Sequence, residues 1–94
     1  MAILRIQHSV LSYESWKQMF DADPADRKGS GVRNFQIYRG VSDPNFVMID
    51  LEFDTVSQAE ELLATMEQVW AGPAKNFMNN PAAWIVEKEV SVQI

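Results

Sequence analysis

The sequence predicts an α+β fold with the element order β-α-β-β-α-β, in which one four-stranded antiparallel sheet carries both helices on one face. Two observations predict it. Apolar side chains recur at every second residue in three segments, as strands require, and at every third or fourth residue in two others, as helices require, and a β-rich run follows near the end of the sequence. This order packs most economically with the helices segregated to one face. Because 94 residues accommodate one hydrophobic core, residues 1–94 are expected to form a single domain.

The first part of the chain is predicted to contain a strand and a helix. Residues Ala2 to Val10 carry aliphatic side chains at alternate positions, which is typical of a strand. Ser12 can cap the helix that follows. Pro24 disfavours a helical conformation at Asp23, so we expect the helix to be interrupted there and a short helical turn to begin at Pro24. The apolar face of the helix, at spacings i, i+3 and i+7, is made of Tyr13, Trp16 and Phe20.

A hairpin, a second helix and a last strand are predicted next. Strands from about Val32 to Arg39 and from Phe46 to Phe53 flank a turn whose proline, aspartate and asparagine favour local bends. The second helix begins at the capping box of residues 55–58 and stops before Pro73. We expect the residues from 74 to 80 to be irregular or briefly helical, and those from 83 to 92 to form the final β-rich segment.

Composition excludes several classes of function. The net charge of −5 disfavours nucleic acid and anionic membranes as partners, because both attract basic surfaces. The chain has no cysteine and one histidine, which disfavours disulfides and metal sites, and no glycine-rich phosphate loop follows a predicted strand. No cofactor is therefore expected. The sequence shows neither a signal peptide nor a run of the ~18 apolar residues that a membrane span needs, so the expected location is the cytoplasm.

The sheet face away from the helices predicts a homodimer. If Val47 and Ile49 face the helices, the opposite face mixes apolar residues with charged ones. Such a mixture is typical of an interface between two sheets, and a domain this small gains stability from a partner subunit. A solvated face with scattered apolar residues is the alternative. The apolar residues expected on this face are Ile3, Tyr38, Phe46, Met48 and Ile85.

One edge of the predicted sheet brings polar and aromatic side chains together. With the strand order 4-1-3-2, alternation directs both His8 and Arg39 towards the helices, about 10 Å apart, because one intervening strand separates their backbones. The start of the first helix and the end of the second lie at the same edge. An apolar cleft with a few polar groups is typical of a small-molecule site. The residues expected to line it are Tyr13, Trp16, Met66, Trp70 and Trp84.

These residues have candidate roles and structural alternatives. His8 is the candidate catalytic acid or base, because imidazole titrates near neutral pH. Arg39, together with the N–H groups that open the first helix, is the candidate for holding a carboxylate or an oxyanion. Alternatively, His8 is a surface or helix-capping residue, and Arg39 neutralises Asp43 or a carboxylate across the dimer. The tryptophans and Met66 are then ordinary core residues.

Short motifs are distributed over nearly the whole chain. They comprise His8 at the end of the first strand, Ser12-Tyr13-x-x-Trp16-Lys17-x-x-Phe20-Asp21, Tyr38-Arg39, Asp43-Pro44-Asn45 and Ala71-Gly72-Pro73. Together they resemble the dimeric α+β barrel superfamily, close to its antibiotic-biosynthesis-monooxygenase domains. The resemblance implies a ferredoxin-like protomer, two sheets that close into a barrel across a two-fold axis, and a ligand cleft between sheet and helices.

The resemblance does not select a reaction. The superfamily includes cofactor-free oxygenases, haem-degrading enzymes, isomerases and decarboxylases, and a shared fold does not fix function. Haem-degrading members carry their histidine on a helix, whereas His8 falls on a strand, so no haem ligand is transferred. The expected function is to bind a small apolar or anionic organic compound, as a cofactor-independent monooxygenase or cyclase. A non-catalytic ligand-sensing module and a dimeric scaffold are the alternatives.

Overall fold

A computed structural model of the chain describes residues 1–23, 26–72 and 78–94. The order of the elements confirms the predicted fold class. None of the helices in these residues is long and apolar enough to cross a membrane. The elements are β1 (Ala2–Val10), α1 (Tyr13–Asp21), β2 (Asn34–Arg39), β3 (Phe46–Phe53), α2 (Val56–Ala71) and β4 (Met78–Glu87).

The strands form one antiparallel sheet in the order β2-β3-β1-β4, which is the predicted order. β3 and β1 lie in the centre, and β2 and β4 are the edge strands. One row of the sheet determines the geometry of the candidate site. His8 pairs with Val47, and Val47 pairs in turn with Arg39 on β2. His8 and Arg39 therefore lie on the same face of the sheet with β3 between them, as expected from alternation.

The hydrophobic core lies between the sheet and the two helices. Leu4 and Ile6 are buried because alternation along β1 directs their side chains to the helix side. α2 runs close to β1, β3 and β4 and buries the small side chain of Ala59 completely. α1 contributes large aromatic side chains instead, Trp16 and Phe20. From β3 the core receives Val47, Ile49, Leu51 and Phe53.

Both helices begin at the residues that the sequence predicts as caps. Ser12 has an extended backbone, and its hydroxyl oxygen accepts a hydrogen bond from the Ser15 N–H at 3.3 Å. At α2 the Thr55 hydroxyl oxygen accepts from the Gln58 N–H at 3.2 Å, and the Gln58 side-chain oxygen accepts from the Thr55 N–H at 3.3 Å. This reciprocal pair is a capping box, which satisfies two backbone donors that the helix itself leaves without partners.

The chain after α1 agrees with the prediction in part. α1 ends at Asp21, just before the residue where the proline was expected to interrupt it. The expected start of a short helical turn at Pro24 lies outside the described residues. The following residues form turns in which Asp26 has a φ of 50° and Gly31 a φ of 97°. Glycine suits position 31, because residues with a Cβ atom rarely adopt a φ of 97°.

The position of β4 corrects the prediction at both ends. β4 spans Met78–Glu87, whereas the β-rich segment was predicted to run from 83 to 92. Of the segment expected to be irregular or briefly helical, residues 74–77 lie outside the described residues and the rest belongs to β4. The pairing of β1 with β4 skips His8 and shifts its register there, and Pro81 lies in this irregularity. Because β4 is an edge strand with a bulge at this point, it tolerates a residue without an N–H.

The sheet face away from the helices, called the open face below, mixes apolar and charged side chains as predicted. Arg5 and Asp50 form two parallel hydrogen bonds of 2.8 and 2.9 Å, and the carboxylate is largely buried. The strand pairing puts three of the expected apolar residues on this face, namely Tyr38, Phe46 and Met48. The face therefore carries a paired charge between apolar side chains.

The assignment of two β4 residues to faces was wrong. Ile85 pairs with Leu4 and packs on the core, although it was expected on the open face. Trp84 pairs with Arg5 and therefore lies on the open face, although it was expected on the helix side. The reason is that residues 83–86 are all apolar, so this segment has no alternation from which the phase of the strand can be inferred.

Candidate functional site

His8 lies near the end of β1 on the helix side of the sheet and is only 2% exposed. Its ring packs against the ring of Trp16, with centroids 5.5 Å apart. Nδ1 lies 3.4 Å from the carbonyl oxygen of Ser9, so we assign the ring proton to Nδ1, which donates a long and weak hydrogen bond. Nε2 is buried and has no hydrogen-bond partner within the described residues.

Burial determines the protonation state of His8. Removing the ring from water disfavours the charged imidazolium and lowers its pKa from 6.5 to about 4, while the Ser9 carbonyl opposes this change. At neutral pH the side chain is therefore an uncharged imidazole whose Nε2 accepts hydrogen bonds. The alternative interpretation of His8 as a surface residue is wrong, because the ring is part of the buried interior.

A row of aromatic side chains on α1 extends from His8 along the helix side of the sheet. The ring of Trp16 lies 5.8 Å from that of Tyr13 and 5.2 Å from that of Phe20. Trp16 is fully buried, so it is a core residue that also forms the surroundings of His8. Tyr13 is only partly buried and closes the row at the start of α1. This arrangement is the one that the i, i+3, i+7 spacing predicts.

Arg39 reaches the start of α1, as predicted. Its guanidinium carbon lies 3.9 Å from the centre of the Tyr13 ring, a cation–π contact. Its Nε donates a hydrogen bond of 3.0 Å to the carbonyl oxygen of Pro44. The Asp43 carboxylate instead accepts the N–H of Asn45 at 3.1 Å, so the alternative of an Arg39–Asp43 ion pair is not what the structure contains. The side chain is thus fixed by one nitrogen and its ring contact.

The end of α2 carries two further predicted site residues. Met66 and Trp70 are partly buried and pack against the core. The helix ends shortly before β4 begins at Met78, which pairs with Val10 at the end of β1, so this end of α2 lies at the same sheet edge as His8. The indole Nε1 of Trp70 is buried without a hydrogen-bond partner among the described residues. An indole N–H is a donor only.

The predicted site residues therefore separate into two groups. His8, Tyr13, Trp16 and Arg39 are joined by ring contacts, and the α2 residues lie at the same edge. Trp84 is separated from them by the sheet itself, because it lies on the open face and is half exposed. Within residues 1–23, 26–72 and 78–94 no three histidine or acidic side chains are close enough together to hold a metal ion.

The structure also contains a cleft at the opposite end of the strands, which the sequence did not predict. It has a volume of about 810 Å³ and lies between the end of α1, the start of β2 and the start of α2. Two rings, those of Trp16 and Phe20, separate it from His8. Its residues come mostly from an aperiodic loop, which gives no pattern to interpret. They include Arg27, Lys28, Arg33, Phe35 and Gln58.

Most positive charge in this cleft is already neutralised. The guanidinium of Arg27 lies 3.9 Å from the centre of the Phe20 ring and 3.4 Å from the Asp23 carboxylate. Arg33 donates to Asp54 at 2.9 Å. An anion entering the cleft would compete with these carboxylates, so it gains less than it would beside unpaired cations. The His8 edge, where two buried polar atoms have no partner among the described residues, is therefore the stronger candidate site.

The fold is that of solved ferredoxin-like proteins, among them a dimeric one and a proposed antibiotic biosynthesis monooxygenase. The chain is similar to a dimeric ferredoxin-like protein from an uncultured marine organism, with a TM-score of 0.65 and 6% identity. That similarity covers 99% of this chain and 98% of the other. The comparison confirms the predicted fold and the resemblance inferred from the motifs.

Two further solved structures are similar over almost the whole chain. A proposed antibiotic biosynthesis monooxygenase from Deinococcus radiodurans has a TM-score of 0.68 at 16% identity, covering 100% of this chain and 98% of that one. A variant of SnoaB, a cofactor-independent oxygenase from Streptomyces nogalater, has a TM-score of 0.72 at 10% identity, covering 97% and 95%. No protein-family model matches the sequence, and no curated protein matches it. At these identities the similarity establishes the fold alone.

Proposed function

We propose that this chain binds a small, largely apolar organic molecule at the sheet edge where His8 and Arg39 meet the start of α1 and the end of α2. We further propose that it acts there as a cofactor-independent monooxygenase. His8 is the acid or base of this proposal, and Arg39 holds an anionic group at the rim. The apolar walls are Tyr13, Trp16, Met66 and Trp70.

The observation that carries the proposal is a pair of buried polar atoms without partners. His8 Nε2 is an acceptor and Trp70 Nε1 is a donor, and neither has a hydrogen bond among the described residues. Leaving a buried polar group unsatisfied costs about 1–3 kcal/mol, so both atoms favour a hydrogen-bonding partner from outside the described residues. A ligand that carries a hydroxyl group within an apolar body can supply both missing partners, because a hydroxyl donates to Nε2 and accepts from Nε1. We propose such a molecule as the partner of these two atoms.

Arg39 supports an anionic group on the same ligand. Its Nε is occupied by the Pro44 carbonyl and its flat face by the Tyr13 ring, whereas its terminal nitrogens make no ion pair in the described part of the chain. A guanidinium fixed in this way loses little freedom when it binds a carboxylate through those nitrogens. The ligand class of the proposal is therefore an apolar ring system with a hydroxyl group, with or without a carboxylate.

The position of the imidazole supports the reaction class of this proposal. In oxygenation without a cofactor, a base removes a proton from an activated methylene, and the carbanion transfers its electrons to oxygen, so that R₂CH₂ and O₂ give R₂C=O and water. His8 Nε2 takes the proton in this proposal. Because burial lowers the pKa of His8 to about 4, its imidazolium persists only beside the substrate anion. The similar fold of SnoaB, a cofactor-independent oxygenase, supports this assignment.

The same low pKa favours a second candidate function, a non-catalytic ligand-sensing module. A neutral imidazole with a pKa of about 4 is a weak base but a good hydrogen-bond acceptor. In that case His8 orients the ligand and no proton moves. The two functions share the site and differ in whether the bound ligand is consumed.

We also propose that the chain acts as a homodimer through the open face. Trp84 and Tyr38 are each about half exposed there, while the Asp50 charge is already neutralised by Arg5. Burying such a surface costs little desolvation free energy, because its main charge is already paired. The dimeric ferredoxin-like protein of similar fold supports this assembly. Sedimentation should give a dimer at micromolar concentration, and a stable monomer would contradict the proposal.

The binding site is tested with a thermal-shift series of aromatic and alicyclic hydroxy compounds and their carboxylates. The tightest compound is then titrated calorimetrically against two matched variants, Trp70→Phe and Trp84→Phe. Trp70→Phe keeps an aromatic side chain but replaces the indole, with its buried donor, by a smaller phenyl ring, so the affinity should fall about tenfold. Trp84→Phe makes the same change on the other face and should alter the affinity less than twofold. Equal affinities for the two variants would refute the site.

The reaction is tested by measuring oxygen consumption with the same compound and no added cofactor. The oxygenase proposal predicts consumption of one O₂ for each ketone formed, and its loss in His8→Phe. If the compound binds at the site and no oxygen is consumed, the chain is a ligand-sensing module instead.

A further inference from the structure

The cleft between the end of α1, the start of β2 and the start of α2 is called the loop cleft below. Its volume of about 810 Å³ suits a small organic molecule, since ligand pockets measure ~300–1,000 Å³. Its lining contains three cationic side chains and one carboxylate, that of Asp23, whereas the whole chain has a net charge of −5. Positive charge is therefore concentrated at this place on a negatively charged protein, which favours an anion there over a cation.

One cation of the loop cleft has no carboxylate partner among the described residues. The two arginines of the lining are held by the carboxylates of Asp23 and Asp54. Lys28 is exposed and makes no ion pair in the described part of the chain. The acidic side chain nearest to it in sequence, Asp26, accepts the N–H of Gly29 at 3.2 Å instead. An anion that binds beside Lys28 therefore displaces none of these carboxylates.

Phe35 gives the loop cleft an aromatic surface. Its side chain lines the cleft and is 43% exposed. The centre of its ring lies 5.3 Å from that of Phe20 and 5.1 Å from the guanidinium carbon of Arg27. These two contacts hold the ring and leave part of it open to the cleft. An aromatic ligand can pack on this open part and remove it from water.

The walls of the loop cleft are fixed by hydrogen bonds within the chain. The guanidinium of Arg27 donates to the carbonyl oxygen of Phe20 at 2.7 Å, and the backbone N–H of Arg27 donates to the Asp23 carboxylate at 2.9 Å. The Val32 N–H donates to the carbonyl oxygen of Arg27 at 3.0 Å. Because these walls are already ordered, a ligand that enters the cleft loses little of its binding free energy to ordering the protein.

From the unpaired cation and the exposed ring we propose that the loop cleft is a second ligand site, which binds a planar aromatic molecule with one carboxylate. The carboxylate lies at Lys28 and the aromatic ring packs on Phe35. A single unpaired cation matches a single negative charge, and an exposed ion pair alone binds weakly, so the ring contact is required for affinity. The site is separate from the one proposed at His8, because the rings of Trp16 and Phe20 lie between them.

The test is an NMR titration of the isotope-labelled full chain with three probes. Naphthoate carries both the ring and the charge, naphthamide keeps the ring without the charge, and acetate keeps the charge without the ring. The backbone amide signals of Lys28, Arg33 and Phe35 report binding in the loop cleft, and the His8 imidazole reports binding at the other site. Each probe is added up to about 10 mM, which occupies most of a site with a dissociation constant of ~1 mM.

Two matched variants each remove one lysine charge, Lys28→Gln in the loop cleft and Lys88→Gln after β4, at the opposite edge of the sheet from β2. Both side chains are exposed, so both variants should fold as the wild type does, which circular dichroism checks. We expect the dissociation constant of naphthoate, read from the cleft amides, to rise about fourfold in Lys28→Gln and less than twofold in Lys88→Gln. Added salt should weaken the binding of naphthoate and leave that of naphthamide unchanged.

Naphthoate that binds more tightly than both other probes, with the loss confined to Lys28→Gln, supports the proposal. Acetate that binds as tightly as naphthoate would overturn the aromatic class of the ligand. Cleft amides that stay in place throughout the titration, or that give equal affinities in the two variants, would overturn the site. If naphthoate moves the His8 signal alone, the second site is wrong while the site at the His8 edge gains support, so the two proposals fail separately.

Discussion

Acidification should destabilise this chain through His8. The size of the effect on the unfolding free energy follows from the pKa shift that burial causes. The pKa of the imidazole falls from 6.5 to about 4 on folding, so the unfolded chain binds the proton more readily. Above pH 6.5 the residue is neutral in both states and has no effect. Between pH 6.5 and 4 the folded state progressively loses stability, reaching about 3 kcal/mol, at about 1.36 kcal/mol for each pH unit.

The assay compares urea unfolding of the wild type and of His8→Leu at pH 7, 6, 5 and 4. The 13 acidic residues are common to both proteins, so their titration cancels in the difference between the two unfolding free energies. We expect this difference to shift by about 3 kcal/mol towards the variant from pH 7 to pH 4. Because His8 is the chain's one histidine, its imidazole proton signals do not overlap with those of another histidine, and their titration reports its pKa directly.

A difference that stays constant from pH 7 to pH 4 would refute the reasoning. So would an NMR titration midpoint near 6.5. Either result would mean that the ring is hydrated or hydrogen-bonded in the folded chain, and that its Nε2 is not an unpartnered acceptor available to a ligand.

The remaining predictions concern stability and binding. Trp16→Ala should lower the unfolding free energy by about 3–5 kcal/mol in urea titrations, because it empties the centre of the core. Thr55→Ala should cost about 1 kcal/mol in the same assay through loss of the α2 cap. Asp50→Asn breaks the pair with Arg5 and should cost about 1–2 kcal/mol, since water reaches the 42% exposed guanidinium. Arg39→Gln should leave stability within about 0.5 kcal/mol while weakening calorimetric binding of a carboxylate ligand about tenfold, with neutral analogues unaffected.

Local chemistry explains why most of the fold could be predicted from the sequence. The capping box at Thr55 and the cap at Ser12 fix where the helices begin, and alternation along β1 fixes which residues face them. The same alternation correctly put His8 and Arg39 in one row of the sheet. These features depend on residues close in sequence or on a regular spacing of apolar residues, so they can be predicted without the tertiary structure.

The features that could not be predicted from the sequence depend on long-range packing. Residues 83–86 are apolar on both sides, so only the pairing of Trp84 with Arg5 determines their phase. The contact of Arg39 with the Pro44 carbonyl follows from the conformation of a turn, not from its composition. Likewise, no local pattern indicates that Arg27 stacks on Phe20, since the loop between them has no period.

The most direct test of the central claim is NMR titration of the bound site. The tightest compound of the thermal-shift series is added to the wild type while two signals are followed, the His8 imidazole and the indole N–H that Trp70→Phe removes. If a ligand occupies the sheet edge, both signals shift together along one saturation curve with the calorimetric affinity. If the compound saturates the protein while both signals stay where they are, the ligand binds elsewhere and the proposed site is wrong.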